Sequence, residues 1–243
     1  MIGFLLVFLG LSTAQAKVLN LKESKLAGYL SAQQSNATVK KDFFDGESSA
    51  TDFSKGFTTQ TGTDFGLVYR AQYIAWIFGF EFMKSNKISG GTASTGGATN
   101  YNYTSEVSYL APKVGLEIIF YQSASARVSV QGAVGTASLT SKTDYTNLSI
   151  APNTDFSYQG KGAANLLNVS IATEFTLIDN TAMQIILGYR NLNFEKIKLA
   201  EDVASSFQGA LTKGTRLTKL DGSNVKYDFS GLYLNVAFRV WIF

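Results

Sequence analysis

Eight charged residues stand on the polar side of an alternation of apolar and polar residues that recurs along this 243-residue sequence. Five are basic and three are acidic, so they can form ion pairs if the chain brings them together. Two carboxylates, Glu117 and Glu174, could instead act as an acid–base pair in glycoside hydrolysis, but basic residues expected at similar depth favour ion pairing. The eight residues are Arg70, Glu81, Lys113, Glu117, Arg127, Glu174, Arg190 and Arg239.

The sequence contains no histidine and no cysteine. Without histidine, Ser-His nucleophiles, imidazole acid–base catalysis and His metal sites are excluded. Without cysteine there is neither a disulfide nor a lipid-attachment thiol. We therefore expect no catalytic residue, no metal site and no cofactor. The formal net charge of +3, with scattered basic residues, also argues against nucleic acid as a partner.

Apolar residues at every second position predict the strands that carry the eight charges. The pattern is clearest from Leu232 to Ile242, where alternate residues are apolar and Arg239 lies between two of them. After the N-terminal run, no segment is apolar for the length that a membrane helix needs. The predicted strands are eight: 25–39, 55–70, 73–86, 100–121, 125–140, 161–178, 181–199 and 226–243.

The connections between these strands alternate in length. Three are tight, around Gln72, Ser123 and Asn180. Four are long and polar: 40–54, 87–99, 141–160 and 200–225. This sorting predicts an all-β protein, an eight-stranded antiparallel transmembrane up-and-down β-barrel with short turns at its periplasmic rim. A further hairpin within 210–220 would make ten strands.

The two faces of the strands predict which side meets lipid. The face opposite the apolar residues carries Gly, Ala, Ser, Asn and Gln, which suit the crowded interior of a narrow barrel. An arginine on the lipid face would cost roughly 2–4 kcal/mol, so Arg239 points inward and the even-numbered residues of the last strand face lipid. Aromatic residues near strand ends are expected to form interfacial girdles. They are Tyr69, Trp76, Phe120, Tyr121, Tyr189 and Trp241.

The beginning of the sequence predicts export. Residues 2–11 are uninterruptedly apolar, and small residues at 14–16 form a cleavage site before Lys17. A buried N-terminal strand is the alternative. We expect a signal peptide over 1–16 and a barrel domain over 17–243.

With this signal, eight alternating strands and a terminal aromatic, the sequence resembles the small outer-membrane β-barrels of Gram-negative bacteria, the OmpA/OmpX/OmpW-like group. The resemblance implies a porin-like fold in the outer membrane, in contact with outer-membrane lipid. It also implies insertion by the barrel-assembly machinery, which reads a last strand ending in Phe, here Phe243. Phe243 and Arg239 are four residues apart, so a regular strand would place both on the inner face and not with the apolar residues. This indicates either a bulge near the end of the strand or a signal that is read loosely.

Two functions remain open at this stage. The first is a non-enzymatic structural or surface-interaction barrel with a side-chain-filled lumen, whose loops contact lipopolysaccharide or another extracellular partner. The second is a small-solute pore or carrier gated by the inward charges. Lys213, Arg216 and Lys219 recur every three residues in the longest loop and could contact lipopolysaccharide phosphates, or form a solvated loop face. A soluble lipocalin-like barrel is disfavoured by the apolar outer face.

Overall fold

The computed structural model describes residues 20–21, 23–35, 59–93, 99–178, 180–207, 209–218 and 222–242. The predicted signal peptide, Phe243 and Lys219 lie outside these residues. No helix among them is long and apolar enough to cross a membrane. The strands are β1 (Leu26–Ser35), β2 (Gln60–Ala71), β3 (Ile74–Ser85), β4 (Ile88–Ala93), β5 (Thr99–Gln122), β6 (Ala126–Thr146), β7 (Phe156–Ile178), β8 (Thr181–Asn191), β9 (Asn193–Phe194), β10 (Lys198–Leu199), β11 (Tyr227–Asp228) and β12 (Gly231–Ile242).

Eight of these strands form a closed antiparallel ring in the order β1-β2-β3-β5-β6-β7-β8-β12. β12 pairs with β1 from Leu26↔Ile242 to Ser35↔Tyr233, which closes the ring. The predicted eight-stranded up-and-down barrel is therefore confirmed. Among the described residues of 200–225 there are isolated bridges rather than a further hairpin of the ring, so the ten-stranded alternative is not formed.

The outer surface of the ring is an apolar belt. Its residues are large and about half exposed, with Ile171 at 58% and Leu187 at 60%. A closed barrel pairs its strand edges within the sheet, which is how β-structure can span a bilayer. The chain is thus a transmembrane β-barrel. The belt includes Leu30, Phe65, Leu67, Trp76, Phe78, Phe80, Val114, Leu116, Ile118, Val130, Val134, Leu167, Val169, Ile171, Leu187, Leu234 and Phe238.

The short connections lie at one end of the barrel, here called the turn end. They join β2 to β3, β5 to β6, and β7 to β8, as predicted. β1 begins and β12 ends at this same end. The opposite end, which carries the longer connections, is called the loop end.

Two of the predicted long loops are largely strand. β4 pairs with β5 within 87–99, β6 continues to Thr146 and β7 begins at Phe156, so the predictions of 87–99 and 141–160 as loops were wrong. In the other direction, the predicted strand 181–199 ends at Asn191, and 226–243 contributes to the ring only from Gly231. The loop 40–54 and the adjoining strand ends lie outside the described residues.

The physical reason is that the hydrophobic pattern inverts along the strands. In β5 the inward residues Tyr101, Tyr103 and Val107 are apolar and buried, whereas farther along the inward residues are Lys113 and Glu117. A strand prediction that follows the outward apolar residues therefore stops where the inversion occurs, before the strand itself ends. Beyond that point the strands continue as a sheet with an apolar inside and a polar outside, as in a soluble protein.

We expect Ile171→Arg, in the middle of the belt on β7, to lower the free energy of unfolding in lipid vesicles by roughly 2–4 kcal/mol, because the charge would face hydrocarbon. Ala163→Arg is the matched control, since Ala163 is exposed on the same strand beyond the belt. Urea titration of both variants checks the expectation. Equal destabilisation would contradict the position of the belt.

Candidate functional site

The eight charged residues predicted from the sequence all lie on the inner face of the barrel, and seven of them are at most 3% exposed. The structure adds a ninth, Asp64, which is 6% exposed. Sequence reasoning missed Asp64, although it has the same parity as Arg70 on the same strand. The lumen therefore contains five basic and four acidic side chains among the described residues.

Four of these charges form a network toward the loop end, here called the loop-side network. Lys113 Nζ lies 2.6 Å from Asp64 Oδ2 and 3.0 Å from Glu81 Oε2. Arg190 Nη1 lies 3.0 Å from Glu81 Oε1, which also accepts a 2.6 Å hydrogen bond from the Tyr109 hydroxyl. Two acids and two bases from four different strands thus neutralise one another.

Four further charges form the turn-side network. Arg239 bridges two carboxylates, with Nη2 3.0 Å from Glu117 Oε2 and Nη1 3.0 Å from Glu174 Oε2. Arg127 Nη1 lies 3.3 Å from the same oxygen of Glu174. Trp241 donates its Nε1–H to Glu174 Oε1 at 2.8 Å. This network is again two acids and two bases.

Trp241 corrects the prediction of an interfacial girdle. It is fully buried inside the barrel, with the Arg127 guanidinium 4.9 Å from its ring centroid. Trp241 and Arg239 both have odd numbers in β12, so both side chains point into the lumen. There the indole N–H of Trp241 has a carboxylate as its hydrogen-bond acceptor. The other five predicted girdle residues are exposed on the outer face.

The arrangement of Glu117 and Glu174 favours ion pairing over acid–base chemistry. Both carboxylate side chains are buried, at most 1% exposed, and both bind Arg239. Glu117 also accepts a 2.6 Å hydrogen bond from the Ser129 hydroxyl. Among the described residues no group of three or more potential His, Cys, Asp or Glu ligands could hold a metal ion.

The described residues before β1 fold into the turn end. Leu21 is fully buried, and its carbonyl oxygen accepts a 2.5 Å hydrogen bond from Arg127 Nη2. Arg70 Nε donates to the Ser24 carbonyl oxygen at 2.7 Å. Leu21 packs in a cluster that includes Ala27 and Trp241. Two lumen arginines therefore hold this short segment, the turn-end cap, in the mouth of the barrel.

The loop end contains an apolar core, here called the outer core. Inward tyrosines of β5–β7 contact apolar residues from the chain between β8 and β12. Phe229 lies 5.1 Å from Tyr109 and 5.8 Å from Phe194, ring centroid to centroid. The outer core includes Tyr101, Tyr103, Tyr109, Tyr145, Phe156, Tyr158, Phe194, Ile197, Leu199, Val203, Leu217, Tyr227 and Phe229.

A cavity of about 40 Å³ lies between the two networks. Its lining includes Gln33, Gln131, Asn168 and Asn235, each of which has a buried side-chain atom without a hydrogen-bond partner among the described residues. The two glutamine atoms are donors and the two asparagine atoms are acceptors. A space of this size, with unpaired donors and acceptors in its wall, is large enough for about three water molecules.

Two tyrosines of the cavity lie over glycines. Tyr29 donates its hydroxyl hydrogen to Asp64 at 2.9 Å, and a Cβ on Gly79 would collide with that hydroxyl. Tyr233 lies against Gly188 in the same way. Both glycines stand at inward-facing positions of their strands, where the absence of a side chain leaves space for a tyrosine ring. Glycine at an inward position is the sequence signal that could have predicted this packing.

Of the three residues predicted to contact lipopolysaccharide, the structure describes Lys213 and Arg216. Lys213 and Arg216 are exposed, and the Lys213 backbone N–H donates to Asp202 at 2.6 Å. Arg216 lies instead opposite Lys198. Lys219, like the predicted assembly signal Phe243, is outside the described residues.

No protein-family model matches the sequence, and no curated protein matches it significantly. Structural matches include Neisserial surface protein A, at 12% identity over 89% of this chain and 99% of that chain, with a TM-score of 0.39. Ail, the attachment invasion locus protein of Yersinia pestis, matches at 12% over 89% and 99%, with a TM-score of 0.43. The outer membrane protease OmpT from Escherichia coli matches at 7% over 90% and 94%, with a TM-score of 0.49. At these values the similarity identifies neither a family nor a function.

The geometry of the chain itself assigns its location. A closed ring, an apolar belt, and short turns at one rim with long connections at the other are the features of an outer-membrane barrel. The chain is an outer-membrane β-barrel, and its resemblance to the small members of that class is confirmed at the level of the fold.

We expect Arg239→Ala to lower the free energy of unfolding by about 3–5 kcal/mol, because Glu117 and Glu174 would lose a shared buried partner. Lys142→Ala is the control: it removes an exposed pair, 3.2 Å from Asp144, and should cost less than about 1 kcal/mol. Urea unfolding in detergent micelles measures both. An unchanged midpoint for Arg239→Ala would contradict a stabilising turn-side network.

Proposed function

We propose that the protein is a non-enzymatic structural and surface-interaction barrel of the outer membrane, which conducts no solutes and acts through its loop end. This is the extracellular end of the barrel, because outer-membrane barrels have their short turns at the periplasmic rim. The observation that carries this proposal is the outer core. Chain between β8 and β12 places Phe194, Leu217 and Phe229, each at most 1% exposed, inside the loop end. A path through the barrel would have to displace this packing.

The rest of the lumen supports the same proposal. Below the outer core lie the loop-side network, the small cavity, the turn-side network and the turn-end cap. Separating Arg239 or Arg190 from its carboxylate would leave a buried charge unpaired, at about 3–5 kcal/mol each. Ions would have to cross both networks to pass, and a narrow eight-stranded lumen has little space beside its side chains.

The extracellular end is suited to contacts with other molecules. β5, β6 and β7 extend beyond the belt, and β10 pairs with β7 at Lys161 and Gly160. The outer core holds these segments together, so exposed side chains on them keep defined positions. Candidate partners are lipopolysaccharide of the same membrane and ligands outside the cell, and the barrel-assembly machinery is the expected partner during insertion.

The absence of enzymatic activity is proposed on two grounds. The sequence contains no histidine, and the two carboxylates considered for acid–base chemistry, Glu117 and Glu174, are bridged by Arg239.

The cavity favours a second candidate, a small-solute pore gated by the inward charges. Its unpaired donors and acceptors would solvate a small polar solute if the networks on either side opened. This function requires both networks to separate and the outer core to move.

Conductance in planar bilayers distinguishes the two functions. After heat-modifiable gel migration shows that the barrel has formed, we expect no current steps from the wild type or from Glu117→Gln and Arg127→Gln, because the loop-side network and outer core remain in each variant. A general porin in the same bilayers controls for detection. Reproducible steps in the wild type, altered by either substitution, would support the gated pore and contradict the closed barrel.

A further inference from the structure

Three basic residues lie side by side on the outer wall of the extracellular end. Lys161 of β7 is paired with Lys198 of β10, and Lys198 forms a bridge with Arg216. All three are exposed, while Ile197, Leu199 and Leu217 on the opposite face are buried in the outer core. The three side chains, here called the basic row, therefore project outward from adjacent segments of one sheet.

The pairing of Lys198 with Arg216 places two basic residues directly opposite each other on adjacent backbone segments. The backbone hydrogen bonds flank the pair: the residue after Lys198 donates to the residue before Arg216, and the residue after Arg216 donates to the residue before Lys198, each at 2.9 Å. This is the non-hydrogen-bonded pair of an antiparallel ladder, in which the Cα atoms are about 4.5 Å apart and the side chains are closest. Like charges in this position destabilise a sheet.

The basic row has no acidic partner among the described residues, in contrast to two other exposed lysines, Lys84 and Lys142. Lys142 lies 3.2 Å from Asp144, and Lys84 lies 3.0 Å from Glu106. No ion pair to Lys161, Lys198 or Arg216 is formed there. Like charges next to each other make the folded chain less stable, and no acidic side chain among the described residues offsets them. An anion that is not part of the chain could bind between these basic side chains.

The position of the basic row indicates where that anion lies. Leu167 is the outward residue at which the belt of β7 begins, and Lys161 is six residues beyond it. At about 3.3 Å per residue and a strand tilt of about 40°, the row is roughly 15 Å above the hydrocarbon. Its side chains point sideways along the membrane surface, toward the headgroups of neighbouring lipids.

We infer that the basic row binds the phosphorylated core sugars of lipopolysaccharide molecules that surround the barrel. A guanidinium and two ammonium groups within one row can each donate charge-assisted hydrogen bonds to phosphate oxygens. The inference rests on the proposed function, since it uses the extracellular end as a binding surface. It keeps Arg216 from the sequence prediction and adds Lys161 and Lys198, which lie beside it.

The test compares the wild type with the double variant Lys198→Gln/Arg216→Gln in detergent micelles. The probes are purified lipopolysaccharide with phosphorylated core sugars and the same glycolipid lacking the core phosphates. We expect the double variant to bind the phosphorylated form about tenfold more weakly or worse, because charge-assisted hydrogen bonds are lost. Removing the core phosphates should weaken wild-type binding to a similar extent and leave the variant unchanged. Lys142→Gln is the matched control and should bind like the wild type.

Several outcomes would overturn the inference. Equal affinity of the wild type and the double variant would exclude the basic row as the site. Binding of a heparin fragment but not of lipopolysaccharide would assign the row to sulfated glycans. Without ligand, the double variant should be at least as resistant to urea as the wild type, since repulsion is removed, and lower resistance would assign the row a structural role.

The failure of this inference is distinguishable from the failure of the proposed function. A protein that binds no lipopolysaccharide through the row and is silent in planar bilayers loses the site but remains a closed barrel. A protein that binds and also conducts keeps the site but contradicts the closed barrel.

Discussion

The pairing of β1 with β12 is the interaction on which the other features of this protein depend. It joins the whole of β1 to β12 from Tyr233 to Ile242, so that the edges of the first and last strands of the ring are paired with each other and not exposed to lipid. Once the ring is closed, each strand has one face toward hydrocarbon and one toward the lumen. Polar side chains such as Arg239, whose neighbours Phe238 and Val240 face outward, are then confined to the interior and must find partners there.

The partners divide the interior into layers. The loop-side network joins β2, β3, β5 and β8, and the turn-side network joins β5, β6, β7 and β12. Each network contains two acids and two bases, so charge is compensated locally, and several of the ion pairs link strands that are not neighbours in the ring. Lys113 to Glu81 joins adjacent strands, whereas Arg239 to Glu117 crosses the lumen. The networks thus connect strands on different sides of the barrel through its interior.

The same strands have one part that faces lipid and another part, beyond the belt, that faces water. At membrane level the apolar residues face outward and the polar ones inward, and beyond the belt Tyr103, Tyr145 and Tyr158 turn apolar surface inward. The change needs no break in the ladder, because both arrangements have the same period of two residues. It gives the loop end a hydrophobic core of its own, which positions the exposed basic row.

The sequence by itself determined the strand number, the lipid-facing parity and the inward direction of the eight charges, since a period of two and the cost of charge in hydrocarbon are local properties. Only the tertiary structure decided which charges pair, because partners such as Arg239 and Glu117 are 122 residues apart. It also placed Trp241 inside, added Asp64, and made strands of the predicted loops 87–99 and 141–160. Whether a polar outer face belongs to a loop or to a sheet depends on what packs behind it. Here that is the chain between β8 and β12, distant in sequence from the strands it covers.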